Sequence, residues 1–479
     1  MLTIQRPLAR TGVGRFSRRK ILQIGGAGLL GMTLPKVLAA EASAPRIPLS
    51  ARAKSVIFLF LFGGPSQLET FDMKPGAPAN IRGPFRPIRS RTPELLISEG
   101  LPKLAAISNK YCVIRSMTHT FNDHSGGGHY MQTGRRWQIP VGGGFVATPQ
   151  DWPSIGSVVE YLTQQAPGGL DRSLPTYATV PNSLGRLQES GQYRRPGEYA
   201  GWLGGGFNPL TTRVDKRDAN DNPYWRDCTE EELSFVIEGL APEVPIKTMR
   251  DRAALLAQFE QVQRRIDAGA VGSLDRHRRR ALSLALSDQA RSALDIRREP
   301  DHLRDAYGRH LFGQSCLLAR RLVEGGVRFV TVHYDCVDGY SWDSHRNNAD
   351  VQKHLLPTFD QAASALIADL DSRGLLQETL VVAVGEMGRT PKANAGWGRD
   401  HWSTCFPCLL AGGGVRGGIV YGASDDHAAY VKENPVSPED LAKTLYWSLG
   451  IDPDLMLINR EGRPVPMVES GSPLTMLFG

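Results

Sequence analysis

Four short stretches of the chain are dominated by apolar residues and are too brief to be helices: 54–62, 111–115, 327–333 and 379–384. Runs of this kind, rich in Val, Ile and Phe, mark strands covered on both faces of a parallel sheet. Between and around them apolar positions recur at helical spacing, at 99–108, 155–162, 314–326 and 356–370, and the third of these closes on a glycine cap at Gly325 and Gly326. Strand 327–333, helix 356–370, a turn at Arg373 and Gly374 and strand 379–384 make a βαβ unit with its crossover. The pattern predicts an α/β domain built on a mostly parallel central sheet with helices on both faces.

Two regions depart from that alternation. Residues 148–245 are rich in Pro, Gly and Trp with weak periodicity, and 249–296 read as a helical pair around Gly272 and Ser273. Both are expected to be insertions, about 140–300, that cover a site on a single domain spanning 45–479.

Composition narrows the class. Hydrophobic content of 41% and charge of 22% are ordinary globular values, and the net charge of +7 is spread between the N-terminal segment and an Arg-rich helical stretch. No single basic and aromatic face is implied, which argues against a nucleic-acid partner. Arg18 and Arg19 precede a mildly apolar segment at 24–38 and small residues at Ala40, Ala42 and Ala44. This is the arrangement of a twin-arginine export signal over residues 1–44, implying export machinery as a partner and a periplasmic or secreted protein. The apolar run is short for a membrane span and broken by Gly and Pro35. Six cysteines are scattered; Cys405 and Cys408 admit a disulfide, a redox pair or two buried thiols.

Chemistry gathers where the strands end. Glu69 and Asp72 follow the first strand; His124, Ser125, three glycines and His129 follow the second; Asp343 and His345 follow the third; Glu386 and Arg389 follow the fourth, with Asp400 and His401 beyond. Ligands in open α/β sheets bind at that edge. Carboxylates and imidazoles drawn from several strand ends suit a zinc or similar divalent-metal site of one or two ions. Ser125 opens a predicted helix among Gly126, Gly127 and Gly128, where backbone N–H groups and the helix N-terminus favour an anion. A serine so placed can be activated as a nucleophile by a metal or a base.

Residues 55–453 resemble a twin-arginine-exported family of unknown function within the sulfatase-like, or alkaline phosphatase-like, superfamily. The matching pieces are FGGPSQ from Phe62, WDSH from Trp342, DLxxRGL from Asp369, ETLVV from Glu378, GEMGRTP from Gly385, GRDHW from Gly398 and AGGG from Ala411. Ser125 to His129 also resembles the nucleophilic serine motif of metal-dependent phosphoglycerate mutases. The resemblance implies a sulfatase-like fold and a small anionic ester, or a sulfated or phosphorylated glycan, as substrate. It implies Ser125 as attacking hydroxyl with His129 nearby, Asp343, His345 and His401 around one metal, Glu386 on a second, and Arg389 on the anionic group. Two departures stand out: Gly63 and Gly64 occupy the place of the superfamily's strand-end Asp, and Glu386 and Met387 that of a late Asp-His pair. The alternative is a secreted binding or scaffold protein that keeps the sheet without catalysis. A further alternative, carbohydrate binding around Trp137 and Trp202, rests on aromatic content alone.

Overall fold

The computed structural model describes residues 50–138, 146–166, 169, 174–181, 195–214, 217–218, 221–237, 287–335, 341–346 and 348–479. The export signal and most of the expected helical pair lie outside these residues. A nine-stranded sheet organises the chain, with strands β1 Ser55–Phe60, β2 Tyr111–Met117, β3 Tyr177–Val180, β4 Leu210–Arg213, β5 Val236–Ile237, β6 Phe329–His333, β7 Thr379–Val384, β8 Phe406–Gly412 and β9 Ile419–Tyr421. Their spatial order is β9-β2-β8-β7-β1-β6-β3-β4-β5. From β7 through β1 and β6 to β3 and β4 every pairing is parallel, whereas β8 runs antiparallel to both β2 and β7. The α/β class read from the sequence is the architecture observed.

β1 is the central strand, fully buried, and its alternate side chains serve two layers. Ile57 and Leu59 point into a core shared with α6 Leu311–Glu324 and α7 Leu356–Ser372, where Leu317, Leu318, Leu366 and Ile367 are inaccessible. Phe58 and Phe60 face the opposite layer, which contains α2 His124–Thr133 and α3 Ile155–Gln165: Phe58 lines a small cavity with Gln132 and Ile155, and Phe60 lies beside Gly128. Burying this much β-branched and aromatic surface, at about 25 cal/mol per Å², is what fixes the sheet. Helices α1 Pro102–Ala106, α4 Asp288–Leu294 and α5 Asp301–Tyr307 add to the first layer, and α8 Pro438–Ser448 packs on α2 and α3 in the second.

Several boundaries moved. The helix expected at 99–108 is the shorter α1, started by Pro102 at its first turn, whose Lys103 and Leu104 amides donate to Asp360 of α7. The crossover from β6 to β7 passes over β1, which lies between them. The region expected only to cover the site also supplies β3, β4 and β5 to one sheet edge. Their runs of two to four residues are too short to show a period. Cys405 and Cys408 are separate buried thiols, and burial pushes Cys405 up to about 12. Near the C-terminus Met456–Ile458 pairs antiparallel with Pro464–Pro466. Among the described residues no helix is long and apolar enough to cross a membrane.

Candidate metal centre

β7 delivers Glu386 two residues past its end, with no exposure to solvent. Its carboxylate accepts the Gly63 N–H at 2.9 and 3.2 Å and meets His124 Nδ1 at 2.5 Å. Its carbonyl lies 2.6 Å from His119 Nε2. Burial depresses His119 to about 4, and its Nδ1 accepts the Phe121 N–H, so the neutral ring carries its proton on Nε2 and donates to Glu386.

His124 is the first residue of α2. Asp123 caps that helix, taking the Gly126 N–H on its side chain at 2.6 Å and the Gly127 N–H on its carbonyl at 2.9 Å. The missing side chain at Gly127 lets the helix approach closely, because a Cβ there would stand 3.2 Å from the Glu386 carbonyl. Backbone packing of α2 against the end of β7 sets the first contact between His124 and Glu386.

Asp343 follows Trp342, which is buried edge-on against Tyr334 and Phe359. Its Oδ1 is approached by Arg389 Nη2 at 2.6 Å, His345 Nε2 at 2.9 Å and His401 Nε2 at 3.2 Å, and its Oδ2 by His124 Nε2 at 3.2 Å. His401 is brought there by a two-residue ladder in which it pairs with Arg389. Gly63 and Gly64, at φ +107° and +77°, turn the chain beneath this segment. A Cβ on Gly63 would stand 2.5 Å from the Asp343 nitrogen. The place of a strand-end Asp is therefore filled by the Asp343 backbone itself, which brings a carboxylate to the end of β1 from another part of the chain.

The far nitrogen of each ring faces an oxygen. His124 Nδ1 meets Glu386, His345 Nδ1 meets Asp400 at 2.7 Å, and His401 Nδ1 meets the Asn122 carbonyl at 2.8 Å. These contacts place protons on the Nδ1 atoms and turn three Nε2 atoms toward Asp343, the orientation imposed on metal-ligating histidines by outer partners. With neutral rings, Asp343, Glu386 and Asp400 against Arg389 leave an excess of two negative charges. Either extra protons or a divalent cation must balance it. Burial alone would depress His124, but its bonds to Asp343 and Glu386 hold it up at about 9. His345 is raised by its bond to Asp343, while Asp343, despite burial, is held far below the usual carboxylate range by the three imidazoles and Arg389.

The donor set suits a cation. His124 Nε2 is buried and faces Asp343 Oδ2, and atoms of His124, Asp343 and His401 lie within 4.8 Å of one another. Nitrogen and oxygen ligands about 2.0–2.2 Å from a tetrahedral ion stand roughly 3.3 Å apart, close to the separations here.

Other expected site residues fall elsewhere. Glu69 is buried and paired with Arg399, 2.8 Å from Nε and 2.6 Å from Nη2. Arg399 also donates to the Ile81 and Thr390 carbonyls, so Glu69 clamps the loop carrying Asp400 and His401. Asp72 pairs with Lys74 at 2.9 Å and approaches Arg115 at 3.5 Å. His129 is a core ring, bonded to the Arg135 carbonyl, stacked on Trp137 and depressed to about 4 by burial. Ser125 follows His124, is 7% exposed, and its hydroxyl makes no hydrogen bond to any described residue. Arg389, expected to face a ligand's anionic group, is fully buried beneath Asp343, with its other donors on the Gly63, Gly64 and Arg399 carbonyls. Trp137 is buried and Trp202 packs on Trp152. Asn122, His119 and Arg399 escaped the sequence reading. Asn122 offers its own carbonyl to His401 and His119 donates to the carbonyl of Glu386, and a main-chain acceptor is not revealed by residue identity.

The chain belongs to the family described as "Protein of unknown function (DUF1501)", whose profile matches residues 53–478. No curated relative matches it. Among solved structures, it is similar to the PsFucS1 sulfatase from Pseudoalteromonas sp. at 14% identity, covering 91% of this chain and 72% of that one with a TM-score of 0.34. A protein in the alkaline phosphatase superfamily from Vibrio parahaemolyticus matches at 10% identity, 91% and 76% coverage and a TM-score of 0.37. The phosphonate monoester hydrolase SpPMH from Silicibacter pomeroyi matches at 11%, 89%, 76% and 0.34. At such scores the chemistry of this centre has to be argued from its own side chains.

Proposed function

We propose that this member of the DUF1501 family is an exported, metal-dependent hydrolase of phosphate or sulfate esters, with zinc the first candidate metal and Ser125 the nucleophile. The observation that carries the reading is the convergence of three imidazole Nε2 atoms on Asp343, each ring held from behind by an oxygen. His124, Asp343, His345 and His401 would hold the ion. A bound divalent cation supplies charge neutralisation for an ester oxygen and a lowered pKa for a hydroxyl beside it.

The chain's own residues would do the rest. Ser125, in the first turn of α2, places a hydroxyl next to His124 where the helix terminus favours negative charge. The amides of Gly126 and Gly127, first candidates for oxyanion donors, are taken by Asp123, which leaves the first-turn N–H groups of His124 and Ser125 for that task. Arg389 is a positioning residue, fixing Asp343. Glu386 and Asp400 orient His124 and His345. The twin arginines at 18 and 19 and the apolar segment after them support export to the periplasm or beyond.

Metal analysis of the purified protein, followed by a screen of aryl phosphates and sulfates with and without chelator, tests the reading. Stoichiometric metal with chelator-sensitive turnover that Ser125→Ala abolishes is the expected result, and the absence of both metal and turnover sinks it. The second reading, a non-catalytic exported binding protein, is favoured by the burial of Arg389. Metal-dependent ligand binding that survives Ser125→Ala, with no turnover in either protein, would select it.

A further inference from the structure

We infer that the cavity between Lys74, Arg82 and Arg86 is a docking site for an acidic, extended segment of a partner protein; it is separate from the metal centre and does not rest on the hydrolase reading. The stretch from Lys74 to Arg91 carries Lys74, Arg82, Arg86, Arg89 and Arg91 and no carboxylate at all. Part of it encloses a cavity of about 360 Å³, lined by Lys74, Pro75, Arg82, Gly83, Phe85 and Arg86, which is ample for a ligand's side chains. Lys74 is already taken, 2.9 Å from Asp72. The four arginines are exposed, and among the described residues none of their guanidiniums has an ion-pair or hydrogen-bond partner. Glu99 takes the Arg86 backbone N–H at 3.1 Å and leaves its guanidinium alone. An ordinary solvated face intersperses both signs; here like charges converge on a concavity, an arrangement that repels itself and draws an anion.

The walls are set before any partner arrives. Pro75, Pro78, Pro84 and Pro87 fix φ along the segment. The Asn80 carbonyl accepts the Ala393 N–H at 2.9 Å, and the Ile81 carbonyl accepts Arg399 Nη2 at 2.7 Å. At Gly83, with φ +71°, a Cβ would stand 3.0 Å from Glu69 Oε1, so the chain lies directly on the Glu69–Arg399 pair. Beyond it Pro87–Arg89 pairs antiparallel with Leu96–Ser98. A backbone fixed in this way lowers the ordering cost of binding. The spacing of charge selects the occupant: Arg89 and Arg91 carry the unpaired cations past the cavity, which suits an extended anion better than a compact one. Planar guanidiniums match carboxylates two oxygens at a time, as Asp and Glu side chains would offer them. Phe85, the aromatic residue of the lining, is buried, so no ring is presented for a base to stack on and nucleic acid is disfavoured.

The test is fluorescence anisotropy of a labelled peptide of alternating Asp and Glu against the full-length protein at low and moderate salt. Arg82→Ala and Arg86→Ala should each weaken binding by about two- to fivefold, and the double variant by roughly tenfold. Added salt should weaken it too. Tm and metal content should not change, because neither guanidinium has a partner to lose. Arg460→Ala combined with Arg463→Ala removes the same charge from another exposed stretch and should leave the peptide bound. Equal losses in the two double variants would mean that the peptide reads net charge alone, which overturns the site. Absence of binding at low salt overturns it as well. So does a heparin oligosaccharide that binds more tightly than the peptide and is lost with the same two arginines, since the cavity would then belong to a sulfated glycan.

Discussion

His124 and His129 occupy one helix, five positions apart, the first with 21% of its side chain exposed and the second buried, and one is held at about 9 and the other at about 4. His129 faces the Arg135 carbonyl and the Trp137 ring. Burial outweighs the pull of Asp151 and of the Arg135 carbonyl, neither of which is a direct carboxylate bond to the ring, so it stays neutral. His124 projects from the helix N-terminus between Glu386 and Asp343. Burial opposes its charge too, but two anions in direct contact repay a positive charge on or beside the ring. The same residue type is packing in the middle of α2 and chemistry at its start, and direct carboxylate contacts decide which.

Removing the decisive anion gives the largest effect. Asp343→Asn keeps the shape and deletes the charge to which three rings and Arg389 point. Stoichiometric metal binding should vanish, His124 should fall back toward His129, and the protein should lose roughly 3 kcal/mol because Arg389 is left buried without its carboxylate. Metal content, imidazole titration by NMR and urea denaturation check the three parts. A variant that retains metal would mean the ion is held without Asp343.

Next in size is a change that moves the anion and leaves its charge. Gly63→Ala forces a Cβ to within 2.5 Å of the Asp343 nitrogen at a φ of +107°. Positive φ and the clash together should cost roughly 3 kcal/mol and weaken metal binding, read by Tm and chelator competition. Unaltered metal affinity in a folded Gly63→Ala protein would detach the glycine turn from the centre.

The other side of the comparison answers to acid. His119, His129, His310 and His333 are all depressed to about 4 by burial, against 6.5 for a free ring. Because the unfolded chain binds those protons first, the stability from keeping the rings neutral is complete above pH 6.5 and is lost progressively as pH falls toward 4. Each ring should contribute roughly 2 kcal/mol of loss by pH 5. Urea midpoints at pH 7 and pH 5 should fall steeply in the parent and less steeply in His129→Leu. Equal slopes would show that His129 is protonated in the folded chain.

The sequence made the scaffold plain and the centre half plain. β7 has its predicted limits because Thr379 to Val384 is a single buried run. β3 to β5 stayed hidden because runs of two to four residues carry no period. Asp343, His345 and His401 meet because each lies where a strand end or its loop delivers it. Glu69 and Asp72 stand at an equally suitable place in the chain but are absorbed by Arg399 and Lys74. Nothing local distinguishes a carboxylate that will find a guanidinium from one that will find a ring. Gly63, read as a missing ligand, is the space through which Asp343 enters.

A last pair of variants isolates what burial adds to a carboxylate behind a ring. Glu386 and Asp400 do the same job, each fixing the Nδ1 of one histidine, but Glu386 is inaccessible and also takes the Gly63 N–H, whereas the side chain of Asp400 is 66% exposed. Outer partners of metal-ligating histidines are worth about 10- to 100-fold in affinity. Water can replace an exposed oxygen and cannot reach a buried one, so Asp400→Asn should sit near the tenfold end and Glu386→Gln near or beyond a hundredfold. Competition against a chelator of known affinity reads both. Added salt should narrow the gap between Asp400→Asn and the parent, because an exposed pair is screened, and leave Glu386→Gln where it was. Equal losses in the two variants would mean that the rings are held by geometry alone, and that the carboxylates separating His124 from His129 act through position rather than through charge.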